Sequence, residues 1–270
     1  MAQIQAQPTS VYKKKRHRFT KRLGKKLRNR LSSFIGSQST VEDTPVLKRE
    51  DFPFLDEFDA NWEKIRDEAK QILLHRDDIP TFDEVSPDQA RISKEKNWRT
   101  YFLYGFRTKL EKNCAQVPYT ASLLERVPGL QTAWFSILAP GYHIPAHRGV
   151  TRGILTAHVG LIIPKQAENC RLRVEDETLV WRPGKSFVFC DGYDHEVWND
   201  TDEERTILLM QFDRPMKPLG RIISSAFLAM VKFTAFYQVP RENLAKLEDR
   251  FEAATRQANE NLEIMSESTD

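Results

Sequence analysis

From Trp98 onward, apolar and polar residues alternate in short runs: WRTYFLYGF, QTAWFSIL, GILTAHVGLIIP, CRLRV, TLVW, SFVFC, HEVWN and RTILLMQF. The runs recur at roughly ten-residue intervals, with turn signals at Pro140-Gly141, Glu175-Asp176 and Pro183-Gly184 between them. A period of two over so many short segments predicts roughly six to eight strands and an all-β sandwich or barrel core. Upstream, Trp62, Ile65, Ala69, Ile72 and Leu73 share one face at helical spacing, which predicts a helix over 60–74. Leu244, Leu247, Phe251 and Ala254 repeat that pattern near the end, ahead of an acidic tail. The polar stretch Pro80 to Lys96 reads as loop. Ile222 to Tyr237 is apolar but interrupted by Lys232 and shorter than the roughly 20 residues a membrane span needs. It reads as a helix buried against the sheet or as a surface-seeking segment. The expected architecture is mainly β with flanking helices.

Phe19, Leu23, Leu27, Leu31 and Phe34 form a narrow apolar stripe whose gaps are filled mostly by Lys and Arg. Such a helix suits an anionic bilayer surface, a solvated tail or an organellar targeting peptide. Gly36 to Val46 is polar. The expected layout is a basic arm over 1–36, a linker over 37–50, a β domain with its helix over 51–240, and a C-terminal helix and tail over 241–270.

Charge sharpens this division. The chain has 41 Lys and Arg against 38 Asp and Glu, a formal charge of +3. Eleven basic residues fall between Lys13 and Arg30, and no acid precedes Glu42, so the rest has 30 basic residues against 38 acidic. An acidic body with a basic arm and no recognition motif is not expected to bind nucleic acid. Cys114, Cys170 and Cys190 are odd in number and lack a C-x-x-C pair, which favours a reducing compartment. Met1 to Ser10 has no apolar signal core. The expected location is cytoplasmic, peripheral at a membrane if residues 13–35 bind an anionic surface.

Of the histidines His17, His75, His143, His147, His158 and His195, three lie where strands can converge. His147 follows a turn, His158 lies within a strand, and His195 opens one. Neutral imidazole ligates iron, copper and zinc. Spacing alone leaves each of the three as either a ligand or a hydrogen-bonded structural residue.

The surrounding residues narrow the choice. APGYHIPAHRGVTRGILTAHVGLIIP, then CRLRV, then WRPGKSFVFCDGYDHEVWN, then ERTILLMQFD resembles the aspartyl/asparaginyl β-hydroxylase family over about Trp98 to Pro215. The resemblance implies a double-stranded β-helix of the jelly-roll or cupin type, and a dioxygenase using Fe(II), 2-oxoglutarate and O2. It makes His147 and His195 the metal ligands. It makes Arg205, assisted by Ser136, the grip on the distal carboxylate of 2-oxoglutarate, with His158 and Trp98 lining the same pocket. Two positions depart from the wider pattern. Gly149 stands where most non-haem Fe(II) oxygenases carry a carboxylate ligand, as in the aspartyl-hydroxylase branch, and Asp191 or Asp194 could supply a carboxylate or shape the turn before His195. Thr156 replaces a family arginine, a loss that Arg148, Arg152 or water could offset. Gly149 leans the implied substrate toward a peptidyl or free amino acid, which is the expected substrate, with a lipid acyl chain as the alternative. The basic arm and the FDRPM ending lean toward a lipid acyl chain, as in the similar lipid A and ornithine-lipid hydroxylases. A cupin-like binding module without activity is the remaining alternative, although joint retention of His147, His195, Arg205 and Ser136 argues against it.

Overall fold

The computed structural model describes residues 27–93 and 96–267. Antiparallel pairing joins the strands into two sheets. The larger runs in the order β1 (Val46–Leu47), β9 (Ser186–Phe189), β6 (Ile154–Ile162), β11 (Arg205–Asp213), β4 (Leu130–Leu138), β2 (Trp98–Gly105) and β3 (Thr108–Lys109). The smaller runs β5 (His143–His147), β10 (His195–Asn199), β7 (Cys170–Val174) and β8 (Glu177–Val180). The eight strands expected from alternation all form, and β1, β3 and β5 join them.

The central strands of the larger sheet are buried on both faces, so side-chain alternation divides two cores rather than core from solvent. Tyr101, Leu103, Phe135, Ile137, Leu155, Ala157, Val159, Leu208 and Met210 point one way. They pack on Ile65, Ala69 and Ile72 of α3 (Trp62–Leu73) and on Leu123 and Leu124 of α6 (Pro118–Leu124). Trp98, Phe102, Trp134, Leu138, Ile207 and Leu209 point the other way, toward Ile144, Leu172, Val174 and Val197 of the smaller sheet. Two antiparallel sheets closed over this second core make the jelly-roll expected from the sequence.

Helices fix the outer layer. Glu68 of α3 accepts hydrogen bonds from the Tyr119 and Thr120 amides at the start of α6 and from the Thr120 hydroxyl, at 2.7, 2.8 and 2.6 Å. A carboxylate there answers unpaired amides and complements the helix dipole. The remaining helices are α1 (27–37), α2 (Asp56–Ala60), α4 (Phe82–Val85), α5 (Glu111–Ala115), α7 (Pro218–Val231) and α8 (Ala235–Glu267). The short α4 interrupts the stretch expected as loop.

Two expectations change here. Residues 37–50 are tied to the body rather than left as a free linker: β1 pairs with β9, Ser39 bridges to Met216, and Asp43 meets Arg152 at 3.1 Å. The physical reason is that Arg214, wholly buried, draws Asp43, the Ser39 hydroxyl and the Glu42 carbonyl around its guanidinium. Likewise α7 does not bury its large apolar residues. Only Gly220 and Ser224 are buried in it, while Leu219, Ile222 and Met230 are exposed. The basic stripe of the arm over 13–26 lies outside the described residues, and α1 carries its end, with Ile35 fully buried.

Candidate active site

His147 and His195 face each other across the ladder between β5 and β10, where they are register partners. Their rings lie 4.1 Å apart between centroids. Strict alternation would place Ile144 and His147 on opposite faces, since they are three residues apart. The pairing instead sets Ile144 opposite Val197 and His147 opposite His195, so β5 spends one residue more than β10. That bulge, at Pro145 and Ala146, returns His147 to the inner face. Proline suits the place because it has no amide to leave unpaired in the ladder.

Each ring is oriented by the chain two residues before it. His147 Nδ1 lies 2.9 Å from the Pro145 carbonyl and His195 Nδ1 lies 3.0 Å from the Tyr193 carbonyl. A carbonyl oxygen only accepts, so Nδ1 carries the proton on both rings and both Nε2 atoms keep a bare lone pair. Burial lowers the pKa of both histidines, and that of His195 is pushed down to about 3, with His147 beside it adding repulsion. Two neutral imidazoles with free Nε2 atoms on one face are the donor set a divalent transition metal takes. Among the described residues no third His, Cys, Asp or Glu completes a cluster with them.

The carboxylate question centres on Gly149. A Cβ placed there would lie 2.7 Å from the Asp191 carboxylate, and the Gly149 amide donates to the Asp191 carbonyl at 2.7 Å. Asp191 therefore occupies the space that a side chain at 149 would enter. Gln211 donates to its carboxylate at 2.9 Å, and burial pushes the Asp191 carboxyl up to about 7. Asp194 is spoken for by Arg173 at 3.0 Å and Arg148 at 3.4 Å.

Facing the histidine pair, the inner face of the larger sheet is lined with polar groups that lack partners. The Arg205 side chain is 2% exposed, and its Nε has no hydrogen-bond partner among the described residues. Its chain neighbour Glu204 is paired with Arg76, and the Arg205 guanidinium lies 4.7 Å from the ring centroid of buried Trp181. Burial pushes Arg205 down to about 10. Trp181 also donates from Nε1 to His158 Nδ1 at 3.2 Å. An indole only donates, so His158 carries its proton on Nε2, which has no partner among the described residues. Burial, then the charges of Arg205 and His195, hold His158 well below its usual pKa, so Nε2–H is a neutral donor.

Ser136 accepts a hydrogen bond from Trp98 Nε1 at 3.0 Å, which leaves its own hydroxyl proton free to donate. Trp98 is held by stacking on Phe82 at 4.1 Å. Among the described residues the buried hydroxyls of Thr156, on the strand face of His158, and of Thr100 have no hydrogen-bond partner, and neither has the indole N–H of Trp134. Phe189 bridges the two sheets, with ring centroids 5.0 Å from His158 and 5.6 Å from His195.

His147 and His195 share the ladder between β5 and β10, and Trp98, Ser136, Thr156, His158 and Arg205 share the face of the larger sheet that turns toward the smaller one. Trp181, Trp134, Thr100 and Phe189 were not singled out. Their signal was strand parity, because Thr100 and Trp134 share the face of Trp98 and Ser136. Arg148 and Arg152 do not replace the missing arginine. Arg148 points to Glu175 and Asp194, and Arg152 stacks on Tyr193 at 4.0 Å while pairing with Asp43.

The residues fit a metal and a dicarboxylate. The histidines present paired lone pairs, and the opposite wall offers a buried cation and unpaired N–H and O–H donors, as an anion requires.

Residues 59–215 match the family described as aspartyl/asparaginyl beta-hydroxylase. The chain is 38% identical over 209 residues to an ornithine lipid ester-linked acyl 2-hydroxylase of Rhizobium tropici, covering 77% of this chain and 74% of that protein. It is 32% identical over 162 residues to the human aspartyl/asparaginyl beta-hydroxylase, covering 58% of this chain but only 20% of that protein. Among solved structures, a cupin 2 conserved barrel domain protein from Salinispora arenicola aligns with 52% of this chain and 92% of its own at 14% identity and a TM-score of 0.30.

Proposed function

The chain belongs to the aspartyl/asparaginyl β-hydroxylase family, and from that premise we propose that this hydroxylating enzyme uses Fe(II) and 2-oxoglutarate to hydroxylate the acyl chain of a lipid. The observation that carries the proposal is the pairing of two bare Nε2 atoms, on His147 and His195, with a facing row of buried, unpartnered donors around Arg205.

His147 and His195 would hold the metal. The Fe(II) ion would supply the oxygen chemistry for an unactivated C–H bond, with 2-oxoglutarate giving up two electrons as it is oxidised to succinate and CO2. Arg205 would bind the distal carboxylate of 2-oxoglutarate, helped by the free Ser136 proton, and Trp181 keeps the guanidinium in place by stacking beneath it. His158 would donate from Nε2, its tautomer fixed by the Trp181 indole. Thr156 offers a hydroxyl where the family places an arginine, so Arg205 is the cation of this wall. Buried Phe189, Trp134 and Leu209 and half-buried Phe187 line the space between the sheets with apolar surface, which strengthens each of these contacts.

The lipid reading is supported by the match to an acyl hydroxylase, which spans about three quarters of both chains. Gly149, which leaned the sequence reading toward peptides, bears on the metal wall rather than on the substrate, because its missing side chain makes room for Asp191.

The test is succinate formation by purified protein with Fe(II) and 2-oxoglutarate, offered either an acylated amino-acid lipid in detergent or an Asp-containing peptide. Mass spectrometry should place the added oxygen on the acyl chain of the lipid. Oxygen on the peptide, with the lipid unchanged, would move the assignment to peptidyl substrates. Absence of iron binding by the folded protein would leave a binding module.

A further inference from the structure

Helix α7 is built inside out. It buries Gly220 and Ser224 against the body, leaves Ile223, Phe227, Leu228 and Val231 half-buried, and carries Leu219, Ile222 and Met230 on the outside. The physical cause is close approach. A Cβ at Gly220 would strike the Gln38 side chain, and Ser224 packs onto Gly153, where a Cβ would strike its hydroxyl. Leu219, Ile222, Ala226, Met230 and, in the turn that follows, Phe233 fall at spacings of three and four along the outer face, and all are exposed. Phe233 is 88% and Ile222 67% exposed, so the stripe is uncovered by the described residues.

A second helix with exposed apolar residues lies beside it. Lys217 donates its amide to the Gln38 carbonyl at 2.9 Å, and Ser39 bridges to Met216, so the end of α1 and the start of α7 lie side by side. On α1, Leu27 and Phe34 are exposed at 68% and 40%. Ser32 accepts the Arg152 amide at 3.0 Å and Ile35 packs by Gly153, which sets both helices on the loop that follows His147. The charge around this surface has one sign. No Asp or Glu occurs from 27 to 41 or from 214 to 241, whereas Arg28, Arg30, Lys217, Arg221 and Lys232 all do. Among the described residues no helix is long and apolar enough to cross a membrane.

We propose that α1 and α7 form the surface by which this enzyme seats on an anionic phospholipid bilayer, apolar stripe in the acyl region and cations at the headgroups, with the entrance of the active site held against the lipid. Apolar residues framed by cations on helices lying flat fit the interface of such a bilayer. A second copy fits poorly, because apposing the face with itself sets Lys217, Arg221 and Lys232 against their own kind. The proposal rests on the acyl-chain reading for the direction in which the site faces, and it makes the bilayer the source from which the chain to be hydroxylated is drawn.

The test is co-sedimentation of the full chain with vesicles of phosphatidylcholine alone or of equal parts phosphatidylglycerol and phosphatidylcholine. Wild type, Ile222→Ser/Phe233→Ser and Arg221→Glu/Lys232→Glu are compared, with folding checked by circular dichroism and mass by light scattering. Wild type should bind the anionic vesicles. Each large apolar side chain withdrawn should weaken binding about tenfold, so the first variant loses about a hundredfold. Each cation should contribute roughly fivefold, and the charge variant should lose its preference for phosphatidylglycerol. Equal binding by the Ile222→Ser/Phe233→Ser variant would overturn the proposal, because the arm alone would then suffice. So would a wild-type dimer that this variant splits while neither protein binds vesicles. Turnover of a detergent-dispersed acyl substrate separates the two claims. Hydroxylation without vesicle binding rejects the docking surface alone, and vesicle binding without hydroxylation of any lipid rejects the substrate reading alone.

Discussion

Replacing Arg205 by Met should stabilise the ligand-free protein and abolish its response to 2-oxoglutarate. Arg205 is 2% exposed, and burial lowers its guanidinium from 12.5 to about 10, so at neutral pH the folded protein holds a cation it would rather solvate. At 1.36 kcal/mol per pKa unit that costs about 3 kcal/mol. Stacking on Trp181 at 4.7 Å returns about 1 to 2 kcal/mol of it. Methionine keeps much of the volume and removes the charge, so the net gain is about 1 to 2 kcal/mol. For a chain of this size that raises Tm by ~2 to 4 °C per kcal/mol. The loss falls on the ligand: a charge-assisted bond to a carboxylate in a half-dry recess, once removed, lowers affinity roughly a hundredfold. Thermal unfolding by circular dichroism under nitrogen, with and without Fe(II) and 2-oxoglutarate, reads both effects. If Arg205→Met unfolds at a lower temperature than wild type, the arginine is a structural element with partners. If the variant keeps the full ligand-induced rise in Tm, the carboxylate binds elsewhere.

Other consequences can be measured with the same protein. His147→Ala and His195→Ala should each abolish Fe(II) binding, read as loss of the visible charge-transfer band of the 2-oxoglutarate complex, while the far-ultraviolet spectrum is unchanged. Trp181→Phe keeps a ring under Arg205 but removes the indole proton that fixes His158, so 15N chemical shifts should report mixed tautomers and KM for 2-oxoglutarate should rise about fivefold. Gly149→Ala drives a methyl to 2.7 Å from the Asp191 carboxylate and should cost about 1 to 3 kcal/mol of stability. Most of that loss should return in the Gly149→Ala/Asp191→Ala double variant, and strict additivity would reject the contact. Asp191, raised from 3.8 to about 7, holds a proton in the folded state that the unfolded chain has released. Stability should therefore fall as pH rises from about 4 to 7, and Asp191→Asn should flatten that slope in urea titrations.

What was legible in the sequence depended on which side chains had to face the same way. Strand β6 is buried along nearly its whole length, so its apolar run announces itself, and His158 is placed by parity alone. Strand β5 reads HIPAH, a short run with a proline between its two histidines, and its inward histidine depends on a bulge that breaks parity. No alternation rule finds it, and only the motif around it did. Helices α5 and α6 hold five and seven residues, too few to establish a period of 3.6. For α7 the period was visible but its direction was not. Periodicity reports that large apolar residues share a face, whereas Gly220, which leaves room for the Gln38 side chain, and Ser224, which fits against Gly153, decide that the opposite face docks. The ties of Arg214 to Ser39 and Glu42 span more than 170 positions and have no local signature.

The inner face of the larger sheet carries a debt that only an occupant settles. Thr100 Oγ1, Trp134 Nε1, Thr156 Oγ1, His158 Nε2 and Arg205 Nε are five buried polar atoms without protein partners on adjacent strands. Each unanswered donor costs about 1 to 3 kcal/mol, so together they approach the whole stability of an ordinary domain. The sheet holds them because β4, β6 and β11 each pair with a neighbour on both edges, and a strand bonded on two edges cannot twist away to release a side chain. Water or an anion must enter. An anion with two carboxylates answers more of these groups at once than separate waters do, and without their separate entropy costs. Binding and folding are thus linked through the same atoms, and the ligand-induced rise in Tm should shrink in proportion as these donors are removed. A Thr100→Val or Thr156→Val protein should be more stable than wild type without 2-oxoglutarate and less responsive to it. If either variant is instead destabilised, its hydroxyl already has a partner in the free protein.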